Sequence, residues 1–256
     1  MTQFVFLTSL KDFLRPQRTF AWLAVVGMVF FIAKVWAVLA ADLSAADSFD
    51  RVLQAVVLRV VALAAAVFGT LVISQEVEQK TIVYLITRPV SRKILMLGRL
   101  IASSTVSFVI AVLALLAAGV AVLGPSFISD GQILQDIVVM ALGVLAYTGF
   151  FVFLSLAIAR SMIVSLLFAF GWETFVPNMP GDMYYLSILT YLRSAAPHAV
   201  VAGKPSLGDF ITGSLVPKTV PQTTAWLILV VMVAVLWALC VWWFSRFEYS
   251  PREEGA

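Results

Sequence analysis

Three ionisable side chains, Lys34, Arg59 and Glu173, lie inside long apolar runs, where a water-soluble chain would not place them. A charge held in hydrocarbon costs at least about 2.5–3.5 kcal/mol on insertion scales, so such residues pair, reach the interface or serve a function. At 1.5 Å per helical residue, all three fall within roughly 10 Å of the same bilayer face. Their shared depth predicts that Glu173 pairs with Arg59, Lys34 or both, the alternative being that the cations snorkel to the headgroups. The remaining inventory is sparse. One histidine, His198, cannot supply the paired axial ligands of a b-type haem. One cysteine, Cys240, can form neither an intrachain disulfide nor a zinc site, and reads as a small buried or lipid-facing hydrophobe. Asp136 is the only aspartate inside a predicted span, and there is no H-E-x-x-H. An intramembrane hydrolase would need a Ser-His pair, two aspartates or a metal set within its spans. No catalytic residue, metal or cofactor is therefore expected in this chain.

The elements that must position these charges follow from hydropathy. Of 256 residues, 62% are hydrophobic and 12% charged, against roughly 45–50% and about 25% in soluble domains. A spanning helix needs about 20 mainly apolar residues. Six runs meet or approach that length: 20–41, 52–73, 97–123, 133–159, 162–176 and 225–244. The fifth is the shortest and carries Glu173. The runs are continuous rather than alternating, which excludes a barrel. The fold class expected is an all-α membrane protein of six transmembrane helices. Small residues in the fourth run, Gly143, Ala146 and Gly149, permit close helix contact.

Basic residues set the orientation. Eleven fall on one side: Lys11, Arg15 and Arg18 before the first span, Lys80, Arg88, Arg92, Lys93 and Arg99 between the second and third, Arg160 between the fourth and fifth, and Arg246 and Arg252 after the sixth. Four fall on the other: Arg51, Arg193, Lys204 and Lys218. Both termini are expected in the cytoplasm. Residues 1–18 read as an amphipathic interfacial helix, with Phe4, Leu7, Leu10, Phe13 and Leu14 at helical spacing and Pro16 as its stop. The first apolar run is too long for a signal peptide, and Lys34 interrupts it. Tyr184, Tyr185, Tyr191 and Trp172 suit an outer aromatic belt.

Two connections carry more than turn residues. The cytoplasmic stretch 74–96 places Glu76 and Lys80 four apart, follows them with the apolar Ile82, Leu85 and Ile86, stops at Pro89, and offers Ser91 as the next cap. From spacing alone, a short helix docking on a soluble partner and an ordinary charged loop both fit. The stretch 177–224 is too polar to span, yet holds the apolar patches Tyr184–Leu192 and Phe210–Val216.

Glu76, Thr81, Leu85 and the run Arg88-Pro89-Val90-Ser91-Arg92, followed by Arg99, resemble the signature of ABC-2 type transporter permeases. Trp172-Glu173, with Pro180-Gly181 and Leu186-Ser187-Ile188 after it, is similar to a second local pattern of that family. The resemblance covers the whole chain, 1–256, as a single transmembrane domain. It implies that 74–96 holds a coupling helix seated on a cytoplasmic ABC ATPase, through Glu76, Glu78, Lys80, Thr81, Leu85, Arg88, Pro89 and Arg92, with Arg160 as a second contact. It implies that 177–224 dips back as a re-entrant or cap segment over the outer end. It further implies two ATPase copies that carry the ATP and Mg, a second permease copy as homodimer or related heterodimer, and export across the cytoplasmic (inner) membrane. The chain has no G-x-x-x-x-G-K-[ST] phosphate loop, so hydrolysis is assigned to a separate subunit. The partners expected are therefore that ATPase, a second permease and membrane lipid, with no nucleic acid. A membrane scaffold that docks an ATPase but moves nothing is the alternative. Few charges in the spans argue against a dedicated inorganic-ion pathway. Lipid-like, drug-like and peptide cargo remain open.

Overall fold

A computed structural model of the chain describes residues 2–13, 15–40, 43–78, 91–124, 127, 132–158, 160–178, 182–196 and 220–246; for 2–5, 8, 11 and 74–78 it describes the backbone alone. Among the described residues all regular structure is helical. The first helix, α1 (Thr2–Phe13), buries Ser9 and Phe13 and leaves Leu7 exposed. It packs along the helix that begins at Arg92, and its Phe13 ring meets Phe68 edge-on at 5.9 Å. Its apolar face thus rests on protein.

The helix ends before Pro16, and the residue preceding the proline, Arg15, has extended backbone (φ -58°, ψ 137°). Pro16 also opens α2 (Pro16–Leu39). At the first helical position the missing N–H costs nothing and the fixed φ suits the helix. A difference lies at Ala45–Val52, where the polar composition reads as a connection. The structure has a helix there, α3. The Ser44 side chain caps it, accepting from the Asp47 N–H at 3.1 Å while its hydroxyl donates to the Asp47 carboxylate at 2.7 Å. A π-helical turn, Leu53–Val57, joins α3 to α4 (Leu58–Glu78).

Ser91, as its type suggests, caps α5 (Arg92–Leu123), accepting from the Ile94 N–H at 3.4 Å. Gly124, at φ 71°, ends that helix in a conformation few other residues tolerate. Next come α6 (Ile133–Ala157), α7 (Ser161–Leu167), a second π turn (Phe168–Trp172) and the short α8 (Glu173–Phe175). Two 3-10 turns, Val176–Asn178 and Met183–Leu186, lead to α9 (Ile188–Ala195), and α10 (Gln222–Arg246) completes the described part.

Among the described residues, five helical stretches are long and apolar enough to cross a membrane: Pro16–Leu39, Ala45–Ile73, Arg92–Leu123, Ile133–Ala157 and Gln222–Arg246. The fifth expected span, 162–176, corresponds to Ser161–Phe175, which is apolar but shorter. At 1.5 Å per residue it covers roughly 22 Å, short of a hydrocarbon core about 30 Å thick.

The bundle has a centre and a periphery. In Ala45–Ile73, 72% of the most apolar window is buried, against 11% in α2 and 17% in α10. Glycine lets α6 lie close against α4: a Cβ on Gly69 would come within 3.2 Å of the Phe151 Cβ. On its other side α6 meets α10. There Trp237 donates to the Leu145 carbonyl at 3.0 Å, and the buried Cys240 Sγ lies 3.2 Å from the Gly149 carbonyl. The small residues of α6 therefore serve contacts inside this chain. Arg99 ties α5 to α4, donating to the Val72 carbonyl at 2.7 Å.

Candidate functional site

The most enclosed polar chemistry in the described residues surrounds Glu173. The π turn Phe168–Trp172 ends at Glu173, whose carboxyl is buried. One of its oxygens, Oε2, accepts from the Ser187 hydroxyl at 2.5 Å and the Leu189 N–H at 3.0 Å. The other, Oε1, accepts from the Ile188 N–H at 3.1 Å. These are the first free N–H groups of α9, where a helix dipole is positive and its donors lack internal partners. The Ser187 Oγ also accepts from the Thr190 N–H at 3.4 Å, so serine and glutamate share the cap. Beside them Trp172 donates its indole N–H to the Leu186 carbonyl at 3.4 Å. The two halves of the Trp172-Glu173 and Leu186-Ser187-Ile188 pattern thus meet in space, residue against residue.

The helix held in this way, α9, is buried at every position. Leu192 fills the space left by Gly143, where an added Cβ would approach its methyls to 3.0 and 3.1 Å. The C-terminal end of α9 is tied to the start of α10. Ser194 Oγ accepts from the Val220 N–H at 3.0 Å, and Gln222 Nε2 donates to the Ala195 carbonyl at 3.3 Å. α9 is therefore a strap between α8 and α10, seated on α6.

Arg193 belongs to this buried group, although the sequence reading placed it among the outer aqueous cations. It is 7% exposed. Burial, and then repulsion from Arg59, lower its guanidinium to about 10, so it stays a cation at neutral pH; Tyr147 and Glu173 act in the opposite sense. Arg59, on α4, and Glu173 thus both act on Arg193, which the charge pattern alone did not single out. Tyr147, wholly buried on α6, lies in the fields of Glu173 and Arg193. The local sign of this arrangement was Ser187, a capping residue just ahead of an apolar helical run.

Lys34 sits elsewhere. Its ammonium donates to the Ala121 carbonyl, near the end of α5, at 3.3 Å, and its side chain is exposed. Glu173 accepts three hydrogen bonds from residues 187–189, and Tyr147 is a further side-chain partner. Tyr184 and Tyr191 of the expected aromatic belt are buried, with Tyr191 donating to the Tyr185 carbonyl at 2.7 Å, while Tyr185 and Trp172 remain exposed. Flanking Glu173, a groove of about 340 Å³ is lined by Gly171, Trp172, Phe175, Val176 and Met183 and is almost wholly apolar.

Of the residues expected to face an ATPase, Arg92 is the first residue of α5 and Arg160 lies exposed in the turn before α7. Glu76 and Glu78 are in the last turn of α4, with side chains outside the description. Lys80, Thr81, Leu85, Arg88 and Pro89 lie outside the described residues.

A bundle of long apolar helices, with Glu173 and Arg193 buried inside it, defines a multi-pass membrane protein. The family model for ABC-2 family transporter proteins matches residues 10–249, nearly the whole chain, and the chain belongs to that family. No curated protein matches the sequence closely enough to count as a relative. The family assigns the chain to the membrane component of an ABC transporter, which generally works with a cytoplasmic ABC ATPase and leaves ATP hydrolysis to that separate subunit.

Proposed function

We propose that this chain is the permease subunit of an exporter in the cytoplasmic membrane, with both termini in the cytoplasm and two permease copies joined to two ATPase copies. The observation that carries this reading is the family match across residues 10–249 on a chain whose helices are long enough to cross a bilayer. The positive-inside bias supports the orientation. Ser161–Phe175 completes six crossings by tilting little and lying where the bilayer is thin.

The stretch Glu76–Arg92, between α4 and α5, is the coupling segment. Glu76, Glu78, Lys80, Thr81, Leu85, Arg88, Pro89 and Arg92 meet the ATPase, and Arg160 adds a smaller contact. ATP and Mg are held by that partner. The rigid connection from coupling segment to bundle is supported by Arg99, which locks the start of α5 to α4 through Val72. At the other end, the strap α9 and the segment following it cap the pathway. Glu173 fixes the strap, and Arg59 is coupled to it through Arg193. Lys34 takes the snorkelling role, with one carbonyl as its anchor.

Vesicles holding both subunits test this reading against a scaffold. Transport predicts that a cargo candidate stimulates ATP hydrolysis and crosses the bilayer only with ATP. ATP hydrolysis that no candidate changes, with no ATP-dependent movement of any of them, contradicts it.

A further inference from the structure

The groove flanking Glu173 has held walls and an empty middle. Val176 is buried in it, Gly171 is half-buried, and Trp172, Phe175 and Met183 stand exposed around it. Gly171 leaves the space: a Cβ added there would meet no described atom nearer than Leu167 Cδ1, at 3.9 Å. Trp172 is kept from folding across the opening. Its indole N–H donates to the Leu186 carbonyl at 3.4 Å, and its ring stacks on Phe168 at 6.0 Å.

The opening continues onto the exposed apolar side chains Ile163, Leu167 and Phe170 of the same segment. At 1.5 Å per residue, Gly171 lies about 16 Å from the exposed Arg160, whose charge belongs at the interface, and so inside a hydrocarbon core about 30 Å thick. Water finds no partners on walls that are almost wholly apolar. Five residues are too few for a stable contact between copies, which takes about 20–30 residues a side. A volume of about 340 Å³ does fall at the small end of ligand pockets, roughly 300–1,000 Å³.

We propose that this groove binds one acyl chain of a bilayer phospholipid, and that the chain braces the Glu173 cap from the lipid side. It touches both arms of the cap: Trp172 adjoins Glu173, and Met183 opens the turn that leads to Ser187 and α9. Since lipid tails are as apolar as the protein surface, what retains the chain is closer packing than the surrounding lipid offers. The site needs the chain to sit in a bilayer and needs neither an ATPase nor cargo.

The test places the purified full-length chain in phosphatidylcholine vesicles with a trace of phosphatidylcholine carrying a diazirine midway along one acyl chain. After irradiation, labelled residues are mapped by mass spectrometry. Leu39 and Leu227, apolar and more exposed than Trp172 and Met183, report ordinary lipid contact. Trp172 and Met183 should carry about threefold more label than these two, the worth of a handful of extra atom contacts. Gly171→Leu fills the groove and should bring their labelling down to that of Leu39 and Leu227. Equal labelling of the two pairs in the wild-type chain overturns the site, a comparison that needs no variant to fold. Undiminished labelling in a Gly171→Leu chain that keeps the wild-type thermal midpoint overturns it as well. Because no ATPase is present, either result stands apart from the outcome of the transport test.

Discussion

Lys34 and Arg59 present the same signal in the sequence, a lone cation in an apolar run at similar depth, and the fold gives them different surroundings. Lys34 is on α2, the least buried of the long helices, and its exposed ammonium has a carbonyl at the end of α5. Arg59 is on the most buried one, half-enclosed, and acts on Arg193, which Glu173 also acts on. A flexible four-carbon stem near a helix end can reach water, so the first cation costs little. The second is held by a packed helix in a region of few other charges, so its environment has to be built. Depth along a span therefore says less about an intramembrane charge than the burial of the helix that carries it.

Glu173→Ala strips three buried donors of their acceptor at once and leaves Arg193 without its carboxylate. We expect a loss of about 3–5 kcal/mol, seen as a large fall in the thermal midpoint of the detergent-purified chain. Gly143→Val places methyls where Leu192 already sits, and should cost about 1–3 kcal/mol in the same assay by pushing α9 from its seat. The two cations are compared by double-mutant cycles with Glu173→Gln. Coupling to Arg59→Met should exceed about 0.5 kcal/mol, whereas Lys34→Met should add to within about 0.3–0.5 kcal/mol. Equal coupling in both cycles would erase the distinction drawn between α2 and α4. The smallest effect is Lys34→Met alone, which should change stability by no more than about 0.5 kcal/mol, because an exposed side chain loses one partly solvated bond.

Much of the bundle was legible because long apolar runs have few other readings. Five of the runs coincide with helices long enough to cross a membrane, and the amphipathic spacing before Pro16 coincides with α1. The misreadings have physical causes. Ala45–Val52 looked like a connection because Asp47, Asp50 and Arg51 lower its hydropathy, although Ser44 and Asp47 already stood at capping distance. Pro16 separates α1 from α2 as proline's effect on a helix interior suggests, but its tolerance at the first position, which makes it also the start of α2, was not read. The π turns at Leu53–Val57 and Phe168–Trp172 leave no mark in composition, so the direction taken by Glu173 could not be read from spacing. Glu173 itself stood out as a charge in an apolar run. The donors to its carboxylate did not, since two of them are backbone N–H groups that any sequence supplies. Arg193 was counted with water-facing cations because a short polar stretch, taken alone, cannot show that a neighbouring helix covers it.

The claim that matters most is that this membrane bundle is driven by a separate ATPase gripping the stretch between α4 and α5. It is tested by purifying the tagged chain from its native membrane and measuring the ABC ATPase that comes with it, for the wild type and for Arg88→Glu. The account predicts near-stoichiometric ATPase with the wild type and a severe loss with the charge reversal, while the variant remains folded in the membrane. A wild-type chain that purifies without an ATPase, or a reversal that leaves copurification unchanged, would contradict it.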